Sequence, residues 1–146
     1  MDEGSGDYAY DRSGNGYTGT LTNMDPATDW VAGRDGWALN TDGTNDRVDI
    51  AGMPTISTIP HTIVLNVYLE ALAHTSYLYT EHTSGDGGFG VILYSTTAGS
   101  LGYQFVQDGG LYKTSPDASV AVGNWYQIVA INQNTNLSSG DRKSVV

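Results

Sequence analysis

Short apolar runs that alternate with other residues at a period of two dominate this 146-residue chain from residue 60 onward. In the clearest run, residues 62–69, one face is formed by Ile63, Leu65, Val67 and Leu69. The opposite face is also fairly apolar, which predicts a central strand of a sandwich. No segment keeps a period of 3.6 residues, so the pattern argues against amphipathic helices and favours strands.

Further runs of the same kind follow at the spacing of roughly 8–12 residues that is expected of sandwiches and barrels. They occupy residues 76–80, 89–94, 101–106, 111–113 and 125–131. The step Asp108-Gly109-Gly110 between two of these runs predicts a hairpin turn. The sequence therefore predicts an all-β fold of two packed antiparallel sheets, a jelly-roll sandwich. There is no internal repeat and no linker, so residues 1–140 are interpreted as one domain.

Composition and charge exclude several classes of protein. Nineteen glycines and ten tyrosines suit strands and turns, and six Lys and Arg against sixteen Asp and Glu give a formal net charge of −10. Such a chain has no large basic face for nucleic acid or anionic lipid. It lacks cysteine, so disulfides and thiol chemistry are excluded. No apolar stretch approaches about 20 residues, so membrane insertion is not expected.

Glycine-rich polar motifs in the first fifty residues resemble the start of a laminin-G-like domain of the concanavalin A-like lectin and glucanase superfamily. The motifs are Asp-Glu-Gly-Ser-Gly at 2–6, Asp-Arg-Ser-Gly-Asn-Gly at 11–16, Gly-Thr-Leu at 19–21, Trp30, Ala38-Leu39 and Asp-Gly-Thr-Asn-Asp at 42–46. Asn124-Trp125-Tyr126 is similar to a late strand of that family. The resemblance extends to about Asn136 and implies the concanavalin A-like jelly roll. Trp37 and Thr41 depart from the family pattern, which usually has glycine and an aromatic residue there.

Both ends of the chain differ from what the resemblance implies. Such domains begin with a strand before the Asp-Glu-Gly-Ser-Gly loop, whereas here the loop begins at residue 2. The tail 141–146, Asp-Arg-Lys-Ser-Val-Val, equals a translation of a common sequencing adapter. We therefore expect an incomplete jelly roll, with residues 141–146 derived from the adapter. An ordinary polar C-terminus is the alternative.

A catalytic role is not expected. Retaining glucanases of the concanavalin A-like fold place a Glu-x-Asp-x-Glu set on one strand, so that acid and nucleophile lie about 5–5.5 Å apart. The three glutamates here, at positions 3, 70 and 81, have no such spacing, and the three histidines have no nucleophile elbow nearby.

Calcium is the cofactor that the loops suggest. Asp42, Asn45 and Asp46 offer three side-chain oxygens within five residues, and Asp11 with Asn15 offers an alternative set. Ca²⁺ prefers such oxygen ligands in a flexible turn. Asp-Gly and Asn-Gly steps are also ordinary turn residues that bond their own backbone, so the turn interpretation stays open.

Aromatic side chains are the candidates for carbohydrate binding, because lectin-like sites place a ring against the apolar face of a sugar. The candidates are Tyr77, Tyr79, Tyr94, Tyr103 and Tyr112. For any one of them, a half-buried position in a sheet is the alternative. Trp30, Trp37 and Trp125 are interpreted as packing residues.

The resemblance implies a non-catalytic carbohydrate-binding or adhesion module of a secreted, cell-surface or virion protein. Its expected partner is a glycan or an extracellular protein. The alternatives are a structural domain of a surface or virion assembly with no sugar site, and an accessory domain of a glycoside hydrolase.

Overall fold

The fold is all-β, as predicted. The computed structural model describes residues 3–54, 60–72, 76–82, 90–106, 111–114, 120–132 and 144–145. Within these ranges the regular secondary structure consists of strands, and their pairings are antiparallel. The chain divides into two compact units, Met1–Pro54 and Thr55–Val146, called here the N-terminal and C-terminal units.

The strands of the N-terminal unit are β1 (Tyr8–Ala9), β2 (Gly19–Thr22), β3 (Trp30–Ala32), β4 (Trp37–Leu39) and β5 (Arg47–Ile50). Those of the C-terminal unit are β6 (His61–Tyr68), β7 (Ser76–His82), β8 (Gly90–Ser95), β9 (Leu101–Val106), β10 (Leu111–Thr114), β11 (Trp125–Asn132) and β12 (Ser144–Val145). Each predicted run coincides with one of these strands to within a few residues.

The N-terminal unit holds a three-stranded sheet in the order β1-β2-β5 and the two-stranded hairpin β3-β4. In the hairpin, the Gly33 N–H donates to the Gly36 carbonyl over 2.7 Å, and Gly36 has a φ of 99° that favours glycine. Trp30 pairs with Leu39 and is buried at the start of β3. The sequence patterns did not predict β1 and β3, because runs of two or three residues are too short to show a period.

One sheet of the C-terminal unit has the order β10-β9-β8-β7. Phe105 pairs with Leu111 across β9 and β10, which is the hairpin pairing predicted from the glycine-rich step. The turn itself, residues 107–110, lies outside the described residues. A β-bulge interrupts β7, because Tyr77 pairs with Tyr94 while Tyr79 pairs with the adjacent Leu93.

The other sheet of the C-terminal unit has the order β12-β11-β6. Strands β6 and β11 pair along their full length, from His61 opposite Asn132 to Tyr68 opposite Trp125. The predicted central strand β6 therefore lies at one end of this sheet as described, and its outward Val64 is 54% exposed. Strand β12 pairs with β11 and belongs to the tail that the sequence suggested is adapter-derived.

An apolar core joins the two sheets of the C-terminal unit. It contains Ile63, Leu69, Leu101, Val120, Ile128 and Ala130, with Leu65, Val67, Leu72, Leu78, Tyr79 and Tyr126 packed against it. Alternation explains this arrangement, since every second residue of β6 and β11 points inward. Two antiparallel sheets with side chains interleaved between them form a β-sandwich.

Candidate functional site

The loop at residues 42–46 is closed by its own carboxylates. The Asp42 N–H donates to Asp46 Oδ2 over 2.9 Å, and the Thr44 N–H donates to Asp42 Oδ1 over 2.7 Å. The Asn45 carbonyl accepts a hydrogen bond of 3.2 Å from Asn23 Nδ2. The two carboxylates therefore fix the turn as Asx-type residues do, whether or not they also bind a cation.

The loop at residues 11–17 is built in the same way around Asp11. This carboxylate accepts from the Ser13 N–H at 2.7 Å, the Ser13 hydroxyl at 2.8 Å and the Tyr17 N–H at 2.9 Å. Asn15 Nδ2 donates to Ser13 Oγ over 2.9 Å. The Ser13 hydroxyl bond, followed by the backbone bonds of Ser13 and Tyr17, lowers the pKa of Asp11 to about 2.

Neither loop gathers a large set of acidic ligands. Among the described residues, no group of three or more His, Cys, Asp or Glu side chains is placed to hold a metal ion. Asp42 and Asp46 bring two carboxylates to one turn and Asp11 with Asn15 brings one, whereas Ca²⁺ takes six to eight oxygens. A calcium ion at either loop would depend on backbone carbonyls and water, and the site stays a prediction.

Two tryptophans of the β3–β4 hairpin hold the first glycine-rich loop in place. Trp30 Nε1 donates to the Gly6 carbonyl over 2.9 Å. The Trp37 ring lies on Gly4, where a Cβ atom would come within 2.5 Å of Trp37 Cε2. Position 4 therefore has a steric reason to be glycine in this chain, because only a residue without a side chain fits beneath the ring.

Glu3 is a buried acidic group in the same loop. Its side chain is only 7% exposed and forms an ion pair of 3.5 Å with Arg12, whose own side chain is largely exposed. Arg12 neutralises the carboxylate and links residues 3–6 to the loop at residues 11–17. Glu3 is therefore positioned as a structural ion pair of the N-terminal unit.

The register of sheet β10-β9-β8-β7 separates the five candidate tyrosines into two faces. Tyr77 of β7 pairs with Tyr94 of β8. Position 112 of β10 pairs with Gln104 of β9, which in turn pairs with Ile92 of β8, two residues before Tyr94. Positions 77, 94 and 112 therefore share one face by alternation. Position 103 pairs with Leu93, which pairs with Tyr79, so positions 79 and 103 share the other face. The structure describes the backbone of Tyr103 and Tyr112 but not their side chains.

The face that holds Tyr79 is the one that meets the core. Tyr79 packs against the apolar core, and Ser95 and Leu101, which share its face, are buried. Burial, and then the negative charge of Glu81, raises the pKa of Tyr79. Tyr77 by contrast is 67% exposed, and Tyr94 opposite it is partly exposed. Of the three candidates with described side chains, Tyr77 and Tyr94 are therefore the pair that a ligand can reach.

A further group on the other sheet was not identified from the sequence. On the outer face of β6 and β11, Tyr68 lies against Trp125 with ring centroids 5.6 Å apart, and Gln127 Nε2 donates to Asn66 Oδ1 over 3.3 Å. These four residues are called here the aromatic–amide cluster. The sequence held a partial signal for this cluster, because the polar Asn66 and the aromatic Tyr68 lie within a largely apolar run. Recognising it required the β6–β11 register, which joins residues about sixty positions apart.

Within the described part of the chain, no helix has the length and hydrophobicity needed to cross a membrane. Comparisons of the chain with protein-family models, with curated proteins and with solved structures found no match.

Proposed function

We propose that the chain is a non-catalytic carbohydrate-binding or adhesion module that acts outside the cell, at a cell surface or on a virion. In this proposal the fold is a laminin-G-like jelly roll. The β-sandwich of the C-terminal unit and the ordered glycine loops of the N-terminal unit support that assignment. A glycan is the partner that the exposed chemistry favours.

The observation that carries the proposal is the tyrosine pair of β7 and β8, in which Tyr77 is exposed and Tyr94 is partly exposed. Tyr77 and Tyr94 are directly opposite each other on the face of the sheet turned away from the core, and position 112 shares that face. Exposed aromatic rings on a rigid sheet bind the apolar face of a pyranose, and their phenol groups bond its hydroxyls. Thr80 lies on the same face and is exposed, which adds a hydroxyl group beside the rings.

A glycan array probed with the purified chain tests this function. We expect binding to a subset of glycans and a marked reduction of that binding in Tyr77→Ala, with the fold unchanged by circular dichroism because Tyr77 is an exposed side chain. Tyr10→Ala is the matched control, since Tyr10 is also exposed but lies in the N-terminal unit. Equal binding by wild type and Tyr77→Ala would remove this face as the site.

We propose that the loop at residues 42–46 binds Ca²⁺, with Asp42 and Asp46 supplying the anionic oxygen ligands. We expect Ca²⁺ to raise the melting temperature, and Asp42→Ala to abolish that increase. Asp11→Ala reports on the alternative loop. Mg²⁺ is the control ion, because it demands a tighter octahedral site. An equal increase with both ions, or one that persists in both variants, contradicts the site.

A further inference from the structure

We propose that the aromatic–amide cluster of β6 and β11 is a second carbohydrate subsite, and that it binds an uncharged, extended glycan on the side of the sandwich opposite to Tyr77 and Tyr94. One copy of the chain then holds two glycan chains and cross-links them. This inference rests on the proposed function, adds a second site at residues that the sequence analysis did not select for binding, and narrows the expected glycan to an uncharged one.

The aromatic half of the cluster supplies a supported ring. Tyr68 is 45% exposed, and Trp125 lies beside it at an interplanar angle of 52°. The two residues are directly opposite in the β6–β11 ladder, which fixes both backbones. An exposed ring that is already held by a neighbour loses little side-chain freedom when a sugar stacks on it.

The amide half of the cluster supplies hydrogen-bonding groups of both kinds. Asn66 and Gln127 form the next pair on this face of the ladder, two residues or about 7 Å along the strand from the rings. Their mutual bond uses Gln127 Nε2 and Asn66 Oδ1. That bond does not use Asn66 Nδ2 or Gln127 Oε1, and both residues are exposed, so amide donors and a carbonyl acceptor are accessible to a ligand. Sugar hydroxyls both donate and accept, which suits this pair.

Charge favours an uncharged ligand. The cluster itself contains no ionisable carboxylate or amine, and the chain carries a formal charge of −10. An acidic polysaccharide would be repelled by that charge at moderate ionic strength. The outer face of a paired ladder follows the strand direction without a closed pocket, so an extended chain suits it better than a compact ligand.

The two subsites face away from each other because both sheets bury their inner faces in one core. Ile63 and Ile128 of β6 and β11 belong to the same core cluster against which Tyr79 of β7 packs. Tyr68 and Tyr77 therefore lie on the two outward faces of the sandwich. Two ligands bound there cannot share one short glycan, so bivalent attachment to separate chains follows.

The test combines electrophoresis in polysaccharide gels with turbidity of polysaccharide solutions. The probes are the uncharged polymers laminarin, xyloglucan and galactomannan, with polygalacturonate as the acidic comparison. The variants are Tyr68→Ala, Tyr77→Ala and the double variant. Tyr68→Phe, which keeps the ring, and Tyr10→Ala serve as controls, and circular dichroism checks that each variant folds.

We expect the wild type to be retarded by an uncharged polymer and to cross-link it into a turbid phase. Tyr68→Ala and Tyr77→Ala should each abolish turbidity and weaken retardation about tenfold, while the double variant shows neither effect. Tyr68→Phe and Tyr10→Ala should behave as the wild type does. Asn66→Asp, which exchanges the donor for a negative charge, should reduce retardation without loss of the ring.

The outcomes that overturn the inference are distinct from those that overturn the proposed function. Turbidity that survives in folded Tyr68→Ala overturns the second subsite alone. Normal retardation in Tyr77→Ala with none in Tyr68→Ala removes the Tyr77 face and keeps the cluster as a binding site. Stronger retardation by polygalacturonate overturns the ligand class. Self-association that Tyr68→Ala abolishes, measured by sedimentation velocity, assigns the face to a second copy instead. An absence of all retardation overturns both proposals.

Discussion

The contact between Gly4 and Trp37 shows how one position limits a whole loop. Gly4 has a φ of 72°, which disfavours residues with a side chain, and an added Cβ atom would overlap the indole ring. Gly6 has a similar φ of 86° but no atom within 4 Å of its Cβ position. Substituting alanine at each glycine therefore separates two costs in unfolding free energy. Gly6 reports the cost of the backbone conformation alone, and Gly4 reports that cost together with the displacement of the Trp37 ring.

We predict that Gly6→Ala lowers the free energy of unfolding by about 1 kcal/mol and that Gly4→Ala lowers it by about 2–4 kcal/mol. The excess arises because Trp37 must leave its position on the loop. In a Trp37→Ala background the two substitutions should then cost the same. Urea unfolding of the three single variants and the two double variants measures this coupling. Equal costs in the wild-type background would show that the ring does not restrict Gly4.

Asp11 is the residue whose titration most affects the loop at 11–17. Its pKa in the folded chain is about 2, below its ordinary value of 3.8, so the ionised form is favoured by folding. A lowered folded pKa adds stability above pH 3.8, and this contribution is lost as the pH falls toward 2. The main cause is the hydroxyl of Ser13, with the backbone groups next.

We predict that the stability of the wild type falls more steeply between pH 4 and pH 2 than that of Asp11→Asn, because the variant has no carboxylate there to protonate. Ser13→Ala should show an intermediate slope, since it removes the largest cause of the lowered pKa. The urea midpoint measured at several pH values in this window gives the slopes. Identical slopes in all three proteins would contradict the assigned role of Asp11.

Strand β7 shows which part of an element a sequence pattern can predict. The alternation at 76–80 correctly predicts a strand, and strict alternation would place Tyr77 and Tyr79 on one face. The bulge between them breaks that alternation, so Leu78 and Tyr79 both pack against the core while Tyr77 is exposed. A bulge depends on the partner strand β8, and no local pattern in β7 reveals it.

We predict that Tyr79→Ser costs about 2 kcal/mol of unfolding free energy, whereas Tyr77→Ser costs no more than about 0.5 kcal/mol. Both substitutions replace tyrosine with serine in the same strand, so the change in β propensity is the same for both. The difference between their effects then reports the difference in burial. Thermal and urea unfolding provide the measurement. Effects of similar size at the two positions would mean that β7 pairs without the bulge, since strict alternation places both side chains on one face.

At the scale of the whole molecule, the sequence predicted the sheet class because strands have a period of two, but it did not predict the pairing order. The cluster of Tyr68, Trp125, Asn66 and Gln127 depends on the eight-pair register of β6 with β11. The Asp42 and Asp11 loops were recognisable as turns because their chemistry is local. Contacts formed across long sequence separation lie beyond such local signals.

The acidic charge is also divided unequally along the chain. Residues 1–54 contain ten Asp and Glu against three Arg, a formal charge of −7, and residues 55–146 contain six against three Lys and Arg, a charge of −3. The N-terminal unit therefore carries most of the self-repulsion in little more than a third of the chain. Repulsion between exposed charges opposes folding and is screened by salt.

We predict that raising NaCl from about 0.01 M to about 1 M, which shortens the Debye length from about 30 Å to about 3 Å, protects the amides of β2 and β5 more than those of β6 and β11. Hydrogen exchange followed by mass spectrometry resolves these strands in one experiment. At a pH near the sequence pI of 4.2 the difference should shrink, because fewer carboxylates are ionised. A salt effect of equal size on both pairs of strands at pH 7 would indicate a general effect of salt on folding, and would contradict a contribution from the unequal charge of the two units.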